Sequence, residues 1–404
     1  MTSTLSLVRC KPGSRDALGP LARTPEEWAQ EAVRLGGRTF HGKQVFKWIQ
    51  ARSVTDAALM TDLPQALRVA LAKPAEEGGA GLGSVLSVLS ERRSTDNTRK
   101  LLVGMADGAN VETVLIPRRI GGVAKQEDDA DAAAADEDEP DANAEIERGY
   151  IPVTQCISTQ VGCAMGCVFC ASGVAGLKRQ MRADEIVAQV LLGRSRLDER
   201  ERLRNVVFMG MGEPLHNYDA TARALRLLTH RDGIALATRR VTVSTSGLIP
   251  EIVKLGEDFR GQIGLAISLH AADDETRTRL MPINNKYPLA ELMAALRAYP
   301  LPPHRRITIE YTLVAGKNDT PQEAHKLVRL LGRLPVKINL IPMNPIEAST
   351  LQPPDFRGVL VFQRVLVEAG FDCFVRRRRG DDVDAACGQL ALLGAKAKVR
   401  VDRG

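Results

Sequence analysis

Residues 156–173 read CISTQVGCAMGCVFCASG and hold four of the chain's seven cysteines. Cys163, Cys167 and Cys170 stand in a C-x3-C-x2-C spacing, and Cys156 precedes the trio by seven residues. The trio leaves a β-branched run at 152–157, so the fold turns on the elements beyond that strand. From there, strand-like runs recur at 205–209, 239–244, 263–269, 306–313 and 336–341, with another near 371–375. Helical stretches alternate with them at 184–196, 218–229, 249–256, 288–298, 321–332 and 355–369. This alternation predicts an α/β fold, a parallel sheet with helices outside. Six units are too few for an eight-fold barrel, so a partial (β/α)6 barrel open on one side is expected. One helix start is well marked: Thr320-Pro321-Gln322-Glu323 offers an N-cap, a proline in the first turn and a capping-box glutamate.

Upstream lies a small, mainly helical region. In residues 36–64, Val45, Phe46, Trp48 and Ile49 recur at helical spacing between Lys43, Lys47 and Arg52. Residues 98–117, TRKLLVGMADGANVETVLIP, read as a hairpin around Asp107-Gly108. Residues 121–149 are alanine-acidic low complexity and cannot bury an apolar face, so a disordered insertion is expected. The expected organisation is therefore an RNA-binding accessory region over 1–100, the hairpin over 101–120, and the insertion over 121–149. The barrel then spans 150–375 and a C-terminal segment 376–404.

Composition narrows the function. The chain has 404 residues, 44% hydrophobic and 26% charged, enough for two or three domains. No apolar run approaches the ~18–20 residues of a membrane span, and the first residues lack the order of a signal peptide. A cytoplasmic enzyme with no membrane partner is expected. Eleven carboxylates and no Lys or Arg lie between Glu127 and Glu147; with the whole chain at +6, the remainder carries +17. Such a surface attracts phosphate backbones. An odd, clustered cysteine set argues for metal or redox chemistry over a disulfide framework.

Three thiolates at this spacing are one short of a closed zinc shell. A [4Fe–4S] cluster held by three would keep one iron open. Phe169, before the last cysteine, could shield it. Other strand ends carry polar groups: Gly210, Gly212 and Glu213 in VVFMGMGEP, Ser244 in VTVSTSG, Ser268 and His270 in AISLH, and Asn344 in NLIPMNP. Four successive strand ends delivering such groups to one rim describe a cofactor pocket.

The cysteine spacing at the end of a first barrel strand resembles the radical S-adenosylmethionine superfamily. With TFHGKQVFKWI, VETVLIP, CISTQVGC, GMGEP and VRRRRGDDVDAACGQLA, the chain from about residue 25 to 395 is similar to the RlmN family of 23S rRNA adenine-C2 methyltransferases. The acidic insertion departs from that pattern without removing a motif. The resemblance implies a [4Fe–4S] cluster on Cys163, Cys167 and Cys170 with one open iron. It implies an S-adenosylmethionine pocket from Gly212, Glu213, Ser244, Ser268, Leu269, His270 and Asn344. Two S-adenosylmethionine molecules are consumed per turnover: one methylates Cys387, and the other generates a radical that activates that methyl group for addition to C2. Glu112 is implied as acceptor of the C2 proton. Cys156 is implied as the resolving thiol, releasing the RNA through a transient Cys156–Cys387 disulfide. The implied partners are 23S rRNA, tRNA in some members, and a flavodoxin-type electron donor; a monomer is expected. Arg376–Arg379 and the basic N-terminal helix are candidate phosphate contacts. Two alternatives stand beside this reading: C8 methylation as in Cfr-like enzymes, and a non-catalytic iron–sulfur RNA-binding sensor.

Overall fold

A computed structural model describes residues 19–118, 148–376, 379, 380, 383, 385, 386 and 388–390. Cys387 and nearly all of the acidic segment lie outside the described residues. The chain opens with three short helices, α1 (Pro25–Arg34), α2 (Thr39–Phe46) and α3 (Gln65–Ala72). Thr24 caps α1 through a full capping box with Glu27. Val45, Phe46 and Ile49 are completely buried and Trp48 is partly buried against them, so the helical spacing read between Lys43 and Arg52 is a packing face. Two side chains seal this region to the barrel. Arg194 donates to Gln50 O and Ala51 O, both at 2.8 Å, and Arg223 donates to Ala22 O and pairs with Glu27.

The hairpin is three-stranded: β1 (Leu86–Arg93), β2 (Arg99–Met105) and β3 (Asn110–Pro117). The turn falls at Asp107-Gly108, with Gly108 at φ 81°, the left-handed backbone such a turn requires. β3 pairs antiparallel with β4 (Ile151–Cys156), Val114 lying opposite Cys156. The hairpin is thus an extension of the barrel sheet. Buried Arg99 of β2 also pairs with buried Glu201 at 2.5 Å. Removing either partner would strand a buried charge at a cost of about 3–5 kcal/mol.

Two short strands, β5 (Gln160–Val161) and β6 (Arg179–Gln180), clasp the cysteine loop, which also carries the short helix α4 (Ala171–Ala175). The remaining strands are β7 (Glu201–Phe208), β8 (Val241–Thr245), β9 (Gly264–Ser268), β10 (Ile307–Leu313), β11 (Val336–Pro342) and β12 (Asp372–Val375). They continue from β4 in the order β4-β7-β8-β9-β10-β11-β12, all parallel. β1 and β12 form the two ends of this ten-stranded sheet, so the barrel stays open. Between the strands run α5 (Ala183–Ser195), α6 (Tyr218–Leu228), α7 (Ile249–Phe259), α8 (Asp274–Leu280), α9 (Leu289–Ala298), α10 (Pro321–Leu331) and α11 (Phe356–Glu368).

Each run read from the sequence is a strand or helix with ends shifted by a few residues. From the hairpin onward, β1, β5, β6, α4 and α8 are additions. At α10, Thr320 accepts from Glu323 N as expected, but the reciprocal half of the capping box is missing. The Glu323 carboxylate instead takes Lys326 at 2.7 Å, a neighbour one helical turn on. Among the described residues, no helix is long and apolar enough to cross a membrane.

Candidate active site

The loops leaving β4 and β7 are locked together before either reaches the cavity. Gly210 N donates to Ile157 O at 3.0 Å, Met211 N to Ser158 Oγ at 2.9 Å, and Thr159 N to Met211 O at 2.9 Å. Glu213 N completes the join on Gln160 Oε1 at 2.9 Å. A Cβ on Gly210 would stand 2.7 Å from Ile157 O, and one on Gly212 would stand 2.6 Å from Gln160 Cβ. The glycines of GMGEP are therefore required by the neighbouring loop, and Gly212 also adopts φ 103°.

Above this join, a cavity opens at the carboxyl ends of the strands, where sites of parallel barrels gather. It encloses about 1010 Å³ of atom-free space, part of it open to solvent. Cys163, Cys167 and Cys170 line it together with Gly212, Glu213, Ser244, Ser268, His270 and Asn344. Leu269 is set back from it, fully buried, its N–H on Glu310 O.

The Glu213 carboxylate accepts from Leu215 N at 3.1 Å and from Ser246 N at 2.7 Å. Burial raises its pKa, against the pull of those two N–H groups and of the Thr245 and Ser246 side chains. Ser244 and Ser268 hydroxyls face each other at 3.4 Å. His270 stands at φ 56° with Nδ1 accepting from Thr312 N at 2.8 Å. That bond leaves the proton on Nε2. Phe169 meets the His270 ring edge-on, with centroids 4.8 Å apart.

Burial, with the Arg277 charge acting the same way, pulls the His270 pKa down to about 3. A histidine depressed below its unfolded value of about 6.5 contributes stability that is complete above that pH and lost as pH falls toward 3. Urea unfolding should show about 2 kcal/mol lost through this group between pH 7 and pH 5. His270→Asn, which tolerates the left-handed backbone, should remove that part. Equal losses in both proteins would contradict it.

The three thiols fit a cluster better than a single ion. Among the described residues, no three His, Cys, Asp or Glu groups converge closely enough to hold one metal. Thiols spread around a cavity suit a cluster, whose irons take one thiolate each. Burial pushes the Cys163 pKa up to about 12 and the Cys167 pKa well above its ordinary value, each also feeling Cys170 and Glu213. Thiols so placed ionise when a cation binds them.

Cys156 and Glu112 share one face of the sheet. Gln155 and Thr113, their sequence neighbours, turn outward: Gln155 Nε2 bonds Gln189 O of α5 and Thr113 Oγ1. Alternation therefore aims Cys156, Val114 and Glu112 at the barrel interior. Glu112 is 4% exposed and pairs with buried Lys100 at 3.1 Å. Beyond β12, the residues just past Cys387 rest on the cysteine loop: Ala171 N donates to Gly388 O at 2.9 Å, and Ser172 Oγ to Leu390 O at 2.7 Å. Arg376 reaches Glu310 and Arg379 pairs with Asp96, so these two arginines tie the segment down. The interior residues Glu310 and Thr312 also line the cavity, as do Met281 and Met343. A charged residue inside the β-branched run ITIEYTL was the only sequence signal for any of them.

The partial barrel with its three-thiol cavity is that of a radical S-adenosylmethionine enzyme, and residues 157–331 match the model of that superfamily. Residues 24–76 match the ribosomal RNA large subunit methyltransferase N-terminal domain. The chain is 66% identical over 386 residues to a dual-specificity RNA methyltransferase RlmN from Sorangium cellulosum, covering 95% of this chain and 98% of that one. A Geobacter sulfurreducens RlmN is 43% identical, covering 88% and 87%. The crystal structure of a radical SAM methyltransferase from Sphaerobacter thermophilus superposes with a TM-score of 0.78 at 37% identity, over 92% of this chain and 99% of that one. The chain belongs to the RlmN family of radical S-adenosylmethionine RNA methyltransferases. Membership brings with it a [4Fe–4S] cluster and S-adenosylmethionine.

Proposed function

We propose that the protein methylates C2 of an adenosine in 23S rRNA, and of tRNA, through a methylated cysteine and a covalent protein–RNA adduct. The observation that carries this is the shared interior face of Cys156 and Glu112 beside the three-thiol cavity, on a sheet whose cysteine loop holds Gly388 and Leu390, just past Cys387. The dual-specificity relatives support two RNA substrates.

C2 lies between two ring nitrogens and is too electron-poor to attack a methyl sulfonium. The cluster and S-adenosylmethionine, when bound, supply the methyl group and the one-electron chemistry that overcomes this. Cys163, Cys167 and Cys170 hold three irons, and Gly212 and Glu213 receive the amino group of S-adenosylmethionine. Ser244, Ser268, His270 and Asn344 complete that pocket, with Leu269 packed behind its wall and the neutral His270 presenting Nε2–H. Cys387 accepts the methyl group and carries it to C2. Glu112 then takes the C2 proton, positioned by Lys100. Cys156, having lost its thiol proton, attacks the Cys387 sulfur: the S–S bond forms, the S–CH₂ bond breaks, its electron pair stays on the carbon, and that carbon takes up a proton to become the methyl group. A dithiol or flavodoxin-type reductant then returns the disulfide to thiols. The protein works as a monomer in the cytoplasm, and two S-adenosylmethionine molecules are used per turnover.

Mass spectrometry of nucleosides from treated 23S rRNA and tRNA should show 2-methyladenosine. Protein exposed to S-adenosylmethionine should carry about 14 Da, one CH₂, on the Cys387 peptide. Exclusive 8-methyladenosine would establish the Cfr-like activity. Neither methylated RNA nor 5′-deoxyadenosine would establish the sensor.

A further inference from the structure

Arg277, on α8, is completely buried, yet among the described residues it touches no carboxylate. Its Nε donates to Leu269 O at 3.1 Å, Nη1 to Asn284 Oδ1 at 3.0 Å, and Nη2 to Ser246 O at 2.6 Å and Ser268 O at 3.3 Å. All four acceptors are neutral. Asp274 also acts on it, but its Oδ1 is taken by Asn284 Nδ2 at 3.0 Å and Leu289 N at 2.8 Å. A guanidinium with no counter-charge is costly in an interior, and buried charges are normally paired.

The missing anion is on the cavity side. Cys167 acts on Arg277 more strongly than Asp274 does, and Arg277 in turn favours the Cys167 thiolate. The cysteine loop leans on the same helix, with Val168 N donating to Leu280 O at 3.1 Å. The guanidinium also bonds the carbonyls of Ser246 and Ser268, both residues of the cavity lining.

We propose that Arg277 is the buried counter-cation of the three-thiolate cluster, offsetting its negative charge and raising its reduction potential. This rests on the reading that Cys163, Cys167 and Cys170 hold the cluster. An oxidised four-iron cluster with three thiolates is already an anion, and the incoming electron adds to that charge. A fixed cation behind Cys167 therefore favours the reduced state more than the oxidised one. Arg277 touches neither substrate nor cofactor directly; it positions the rim and sets its field.

The test is a redox titration of the anaerobically reconstituted full-length protein, followed by the electron paramagnetic resonance signal of the reduced cluster. R277Q removes the charge and keeps part of the hydrogen bonding, while R277K keeps the charge. At a fixed poise, R277Q should hold about tenfold less reduced cluster than wild type, about 59 mV for one electron. R277K should stay within about twofold of wild type. If R277Q alone fails to take up iron, the site requires the charge and the proposal stands. A wild-type potential in R277Q would overturn it, as would equal impairment of both variants in folding, iron content or potential. A wild-type protein that takes up no four-iron cluster, or a Cys167→Ser variant that loads it normally, would overturn the cluster reading instead.

Discussion

Cys156→Ala should arrest the enzyme with RNA covalently attached to Cys387. The substitution removes one buried sulfur at the last position of β4 and leaves the strand intact. Thr113 Oγ1 still holds the Cys156 carbonyl at 2.8 Å, and Ile157 N still reaches Val207 O at 3.0 Å. The packing loss is about 1 kcal/mol, too small to unfold the barrel. What disappears is the thiol proposed to cleave the adduct. Multiple turnover should fall to background while one equivalent of RNA per protein resists denaturing electrophoresis. Peptide mapping should find the nucleotide on the Cys387 peptide. Normal turnover by this variant would remove Cys156 from the mechanism.

Gly212→Ala should cost S-adenosylmethionine binding roughly 100-fold, close to 3 kcal/mol, while iron content stays near that of wild type. Two penalties combine. The added Cβ would lie 2.6 Å from Gln160 Cβ and 2.8 Å from Gln160 N, and φ 103° is unfavourable for alanine. Relief requires the two loops to part, which moves Glu213 away from Ser246 N and Gln160 Oε1. The cysteines lie on the other loop, beyond β5, so cluster uptake is the control. Calorimetric titration with S-adenosylmethionine gives the affinity; an unchanged value would mean the join is not what shapes the pocket.

The barrel was legible because its strands are dense in Val, Ile and Thr and its helices carry amphipathic spacing. β1 escaped because its second half is exposed and charged, giving no alternation to read. α8, DETRTRL, has one apolar residue; its buried side is largely Arg277 and Thr276. A motif of spaced cysteines announces itself in one dimension, and so does a glycine pair after a strand. A buried arginine does not, since burial comes from neighbours far apart in the chain. Leu269 shows the opposite case: it follows Ser268 in the motif but sits behind the cavity wall. The arginine run was read as candidate phosphate contacts; Arg376 and Arg379 also bond Glu310 and Asp96, which anchors the segment through those two.

The pairing of β3 with β4 acts as a ruler for the chemistry. Val114 lies opposite Cys156, which places Glu112 two residues along on the same side. The separation of the proposed proton acceptor from the proposed resolving thiol is therefore counted in residues by the register of β3 on β4. Shift that count by one, and Thr113 would face inward while Glu112 turned toward α5. A single residue inserted between Thr113 and Val114 would then silence the enzyme with every functional side chain still present.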